Sequence, residues 1–112
     1  MGIKRPLPAQ VQSALHELER VLSASYGDRL RGVYLYGSHA RGDFTDSSDV
    51  DILITLRGQV NPHREMRRMG EAISDICLRY DVLISTYPVP DSWLSERRSP
   101  LFENVRREGI RL

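Results

Sequence analysis

The sequence predicts a small α/β (α+β) protein, a mixed three-stranded sheet flanked by helices. Three observations predict it. Residues 9–26 and 62–79 place apolar side chains at three- and four-residue steps, the period of a half-buried helix. Residues 30–36, 49–56 and 81–87 are short runs of β-branched, aromatic and aliphatic residues bounded by Gly, Pro or polar loops. The two patterns alternate, and the stretch from 57 to 80 is long enough for a helical crossover between parallel strands.

At 112 residues the chain makes one domain, 1–112, with a modest core. Apolar content of 40% and charged content of 28% fit a globular protein rather than a disordered one. A net charge of +1 argues neither for a nucleic-acid-coating protein nor for an acidic one, although five arginines lie between Arg97 and Leu112. The one aromatic residue among those arginines, Phe102, is expected to face inward rather than stack on bases, so a solvated or partner-facing helix is the expectation there. Cys77 is the lone cysteine, which excludes an internal disulfide and fits a reducing cytoplasm. No apolar run reaches the ~18 residues of a membrane span, and the N-terminus has no apolar signal core.

The elements follow in order. In the first helix Val11, Leu15, Leu18, Val21, Leu22 and Tyr26 face inward, with Pro8 suiting its first turn and Gly27 its C-terminal cap. Strand 30–36 is apolar on both faces and so central. Gly37-Ser38 turns the chain, His39 to Arg41 adds a helical turn, and Gly42 to Ser48 is a polar loop. The short segment from 37 to 48 favours an antiparallel reversal into strand 49–56. Asn61 caps the next helix with Pro62 in its first position; Met66, Met69, Ile73, Ile76, Cys77 and Tyr80 mark its buried stripe, and Glu65 sits on its wet side. Strand 81–87 stops at Pro88 and Pro90. Asp91 caps a short helix, and a last helix runs from Ser99-Pro100 to Gly109.

One stretch carries chemistry. From Gly37 the chain reads Gly-Ser-His-Ala-Arg-Gly-Asp-Phe-Thr-Asp-Ser-Ser-Asp-Val-Asp. A strand alternates its side chains, so Asp49 and Asp51 point to one side and Val50, Ile52 and Ile54 to the other. Two adjacent carboxylates repel each other, which packing does not explain and a divalent cation does. With Asp81 opening the third strand, Ser38, Asp49, Asp51 and Asp81 are expected at one end of the sheet. Three carboxylates can hold two Mg²⁺ ions about 3.5–4 Å apart, the spacing of in-line displacement at phosphorus. Gly37 lets the backbone approach a phosphate, Ser38 offers an N–H and a hydroxyl, and Arg41 can pair with a phosphate oxygen. His39 is read as a surface or phosphate-neighbouring residue, and Asp43 and Asp46 as turn residues.

Gly37-Ser38, ten residues, then Asp49-Val50-Asp51 and a carboxylate one strand later resembles the signature of the DNA polymerase β-like nucleotidyltransferases. The short chain, the Gly-Ser-His-Ala-Arg-Gly stretch and the closing Ser-Pro-Leu-Phe-Glu-Asn-Val-Arg-Arg-Glu-Gly are similar to the minimal nucleotidyltransferase group, with His39 where that group usually has Arg. The resemblance covers residues from about 10 to 110. It implies a polymerase β-like nucleotidyltransferase fold, Mg²⁺, ATP as substrate, and transfer of AMP to a hydroxyl. It further implies pairing with a helical HEPN toxin, the nucleotidyltransferase acting as antitoxin by adding AMP to a tyrosine of that partner. The expected catalytic and metal residues are Asp49, Asp51 and Asp81, with Gly37, Ser38 and Arg41 on the nucleotide. The alternatives are a non-catalytic antitoxin that masks its partner, a nucleotide-sensing module and, less favoured, small-molecule nucleotidylation; hetero- and homo-oligomers are both open.

Overall fold

The structure is a computed structural model and describes residues 5–112. Helix α1 spans Ala9–Tyr26, and Gly27 closes it with a backbone N–H to the Ser23 carbonyl. A 3-10 turn at Gly27–Arg29 leads into strand β1, Leu30–Tyr36. A four-residue helix α2, Ser38–Arg41, follows, then strand β2, Val50–Leu56. Helix α3 is Pro62–Tyr80, strand β3 is Ile84–Pro90, helix α4 is Asp91–Glu96, helix α5 is Pro100–Glu108 and strand β4 is Ile110–Arg111. Asn61 and Ser99 cap α3 and α5 by accepting from the Arg64 and Phe102 amides, and Pro62 and Pro100 stand first in those helices.

The sheet order is β3-β2-β1-β4. β1 and β2 are antiparallel and β2 and β3 parallel, as the connection lengths predict. The sheet has four strands rather than three. After Gly109 the chain turns back so that Ile110 and Arg111 pair antiparallel with Leu35 and Tyr34. A two-residue strand has no periodicity of its own to read.

Pairing puts the side chains in rows. On one face Val33, Leu35, Val50, Ile52, Ile54, Leu56 and Ile84 meet Leu15, Leu18 and Leu22 of α1 and Met69, Ile73 and Ile76 of α3. On the other, Leu53 and Val89 meet Phe102 and Val105 of α5, with Tyr34, Tyr36, Tyr87 and Trp93 around them. Both sides of β1 and β2 are thus covered, which is why β2 reads as a continuous apolar run.

The stripe of α3 departs from expectation at its start. Glu65 is buried and Met66 is 44% exposed. The cause is Tyr26: its hydroxyl enters the core and donates to Glu65 Oε1 at 2.7 Å. A buried donor needs an acceptor, and the carboxylate turns inward to provide it. The third strand also starts later than its apolar run. α3 runs through Tyr80, Asp81 ends it in the left-handed conformation (φ 53°), and pairing begins only at Ile84. Asp91 is the first residue of α4 rather than its cap; Pro90 holds that position. Among the described residues no helix is long and apolar enough to cross a membrane.

Candidate active site

The site forms where β1 ends and β2 begins. Tyr36, the last residue of β1, pairs with Asp51, and Asp51 pairs with Ser85 on β3. These three form the outermost row of the face that α5 covers farther in. The next row is Tyr34, Leu53 and Tyr87. Asp49 precedes β2 by one residue; the Val50 amide donates to the Leu83 carbonyl at 2.8 Å, which continues the ladder and sets Leu83 beside Asp49.

Gly37 follows Tyr36 with φ 75° and ψ −154°, a conformation that disfavours any side chain. A Cβ built there would stand 2.5 Å from Asp51 Oδ2. The turn is therefore folded onto the carboxylate, and a phosphate held by the turn would lie beside Asp51. Ser38 begins α2, whose backbone closes through the Ala40 and Arg41 amides onto the Gly37 carbonyl at 3.1 Å each. Asp51 titrates above the usual carboxylate range, first because burial disfavours its charge and then because Asp49 is close. Burial raises the Tyr36 hydroxyl as well, followed by the charge of Asp51.

His39 is not a surface residue. It is buried, its ring stacks on Phe44 with centroids 4.2 Å apart, and Nδ1 lies 3.1 Å from the Asp49 carbonyl oxygen. Burial pushes its pKa down, so a neutral ring donating from Nδ1 pins the backbone that carries Asp49. Arg41 sits at the rim and is paired with Asp43 at 3.1 Å and with Glu108 of α5 at 3.0 Å. Asp46 pairs with Arg5 at 2.8 Å, which agrees with a loop role.

Asp81 is not brought to this corner. Its predicted place at the start of β3 is taken by the tail of α3, and it caps that helix four residues upstream of Ser85. It lines a cleft of about 520 Å³ together with Val11, His39, Phe44, Ser48 and Val50; Gly37, Ser38, Asp49 and Asp51 are not among the residues lining it. Among the described residues no three His, Cys, Asp or Glu side chains are grouped to hold a metal ion. The sequence reading placed the acid correctly in the chain and wrongly in space. It also passed over Ser85 and Tyr36, the direct neighbours of Asp51. The antiparallel reversal between β1 and β2 was the signal that could have put Tyr36 there.

This sheet, with a glycine turn folded onto the second acid of an Asp-x-Asp pair, can be compared with known proteins. Residues 17–96 match the family model "Polymerase beta, Nucleotidyltransferase". The chain belongs to the polymerase β nucleotidyltransferase family. Two relatives from Methanocaldococcus jannaschii agree with this. One, named "Putative protein adenylyltransferase MJ0141", is 34% identical over 101 residues, covering 90% of this chain and 97% of the relative. The other, "Putative protein adenylyltransferase MJ0604", is 31% identical over 103 residues, covering 88% and 93%. Among solved structures, one described as a toxin-antitoxin with AMP-PNP has a TM-score of 0.61 at 18% identity, over 86% of this chain and 69% of that one. A mutant of the toxin-antitoxin MntA-HpeT gives 0.57 at 20% identity, over 87% and 70%. At those identities the structures speak for the nucleotidyltransferase fold, and the sequence relatives for the family.

Proposed function

We propose that this nucleotidyltransferase transfers AMP from ATP to a hydroxyl of a partner protein and thereby acts as the antitoxin of a toxin-antitoxin pair. The observation that carries the reading is the Gly37 turn lying against Asp51, with Asp49, just before β2, close enough for its charge to raise the pKa of Asp51. The relatives named as protein adenylyltransferases support AMP transfer to protein, and the toxin-antitoxin structures support the kind of partner. A helical HEPN toxin is the partner that the sequence resemblance implies.

The residues present fit Mg²⁺. Two carboxylates that repel each other, one of them held above its usual pKa, are relieved by a hard cation, and Mg²⁺ is commonly held by one or two carboxylates together with substrate phosphates. When bound, the ion would neutralise charge developing on the phosphates. Asp49 and Asp51 would hold it, and the Gly37-Ser38 turn would seat the triphosphate. The acceptor oxygen attacks the α-phosphorus, the bond from that phosphorus to the bridging oxygen breaks, and pyrophosphate leaves with that oxygen. The acceptor proton passes to water at the open rim. Arg41 would exchange Asp43 and Glu108 for a phosphate oxygen as nucleotide arrives.

Incubation with α-labelled ATP, Mg²⁺ and the protein encoded beside this chain tests the reading. Label in the partner, lost with Asp51→Asn, is the expected result. Absence of label with both proteins folded would count against it. A second reading, a non-catalytic module that masks its partner, is favoured by the displacement of Asp81. It predicts that the Asp49→Ala/Asp51→Ala double variant still neutralises the toxin at equal abundance.

A further inference from the structure

The two-cation arrangement expected from the sequence needs a third carboxylate beside Asp49 and Asp51. The structure identifies the positions from which one could reach. Side chains on neighbouring parallel strands at the same register stand about 4.8 Å apart and point the same way. For Asp51 the paired residue on β3 is Ser85; for Asp49, one step earlier, the neighbour is Leu83. Neither is charged. On the other side of Asp51 stands Tyr36, whose phenol is an uncharged hydroxyl at neutral pH. No other acid stands at the register of Asp49 or Asp51 on a neighbouring strand: Asp81 ends α3 and lines the separate cleft, and Asp43 and Glu108 lie at the rim on Arg41.

Resting on the reading of the site as a Mg²⁺-dependent nucleotidyltransferase, we propose that this chain holds a single divalent cation with its nucleotide, because Ser85 occupies the place from which a second would take its third carboxylate. The donor count agrees. Asp49, Asp51 and the phosphate oxygens make up the set by which one Mg²⁺ is commonly held. A second would meet only the neutral Ser85 and Tyr36, with the Arg41 guanidinium close by. Two ions about 3.5–4 Å apart repel strongly and are tolerated only where bridging carboxylates offset that repulsion. Ser85 is exposed, so an aspartate there displaces nothing from the core.

Equilibrium dialysis against Mn²⁺ and AMP-PNP, counting both retained per protein, tests this independently of turnover. The wild type is expected to retain one Mn²⁺ per nucleotide and to give an electron paramagnetic resonance signal without metal–metal coupling. Ser85→Asp is expected to retain two, with the broadened signal of a coupled pair. Leu83→Asp, which is also exposed and stands beside Asp49, replaces it if Ser85→Asp does not fold. Two coupled ions in the wild type overturn the proposal. So does a count that stays at one in a folded Ser85→Asp protein. Nucleotide retained with no Mn²⁺ overturns the cation-dependent reading itself and the inference with it. That outcome is distinct from a count of two, which leaves the reading standing.

Discussion

The two faces of the sheet are built to different specifications. One is closed by two helices of 18 and 19 residues over a continuous apolar layer that includes Leu18, Leu22, Leu35, Ile52 and Ile54, all fully buried. The other is covered by helices of 6 and 9 residues that reach Leu53 and Val89 and stop short of the outer row, Tyr36, Asp51 and Ser85. The first face stabilises the strands. The second leaves their ends open to solvent with a repelling acid pair in place. Stability and chemistry are thus divided between two sides of the same residues: along β2, Ile52 serves one face while Asp51 and Leu53 serve the other.

The widest separation is expected from Asp51→Asn. Transfer of labelled AMP should fall about 10³-fold, roughly 4 kcal/mol of transition-state stabilisation, while the melting temperature rises. The sign follows from the raised pKa of Asp51. The folded state binds its proton more readily than the unfolded state, so the ionised carboxylate weakens folding above its folded pKa. The gain of the variant is therefore largest near neutral pH and vanishes below the ordinary value of 3.8, where both states are protonated. A variant that lost activity and stability together would blur the division between the faces. Leu18→Ala probes the other side. Leu18 is fully buried between α1 and the sheet, and its truncation should cost about 3–4 kcal/mol in denaturant unfolding. Nucleotide affinity of the folded fraction should be unchanged.

How much of this the sequence revealed divides along the same line. The helices, the first two strands and the antiparallel-then-parallel wiring were legible because periodicity and loop length are local signals. The acid pair was legible because strand alternation forces Asp49 and Asp51 to one side. What failed depended on where one element stops. Asp81, Val82 and Leu83 continue the apolar run of Ile84, so periodicity drew them into the strand. Their place was decided by α3 extending to Tyr80 and by an aspartate that tolerates the left-handed conformation. A three-residue shift moved a supposed metal ligand out of the site. Glu65 failed differently: nothing local marks a glutamate as buried until the Tyr26 hydroxyl is known to point at it.

Tyr26→Phe measures that buried pair. Removing the donor leaves Glu65 inside the core without its partner, at a cost of about 1–3 kcal/mol. Its pH dependence is a second readout. Burial, then the hydrogen bond to Glu65, push the Tyr26 hydroxyl up to about 12. The unfolded chain loses that proton first, so wild-type stability should fall between pH 10 and about 12. The variant should lack this component of the alkaline decline, and unfolding curves across that range would show whether the two slopes differ.

The smallest effect separates the two accounts of Asp81. If it caps α3 and does nothing else, Asp81→Gly should stabilise the protein, because glycine enters the left-handed region without the cost that a β-carbon imposes. The expected gain is about 0.5–1 kcal/mol, reduced by the greater freedom that glycine gives the unfolded chain. AMP transfer and the Mn²⁺ count should be unaffected. An acid that swings into the site when nucleotide binds would behave in the opposite way, since the variant would keep its fold and lose its metal. Thermal unfolding and metal counting on the same preparation therefore settle whether the helix end or the sheet corner owns this carboxylate.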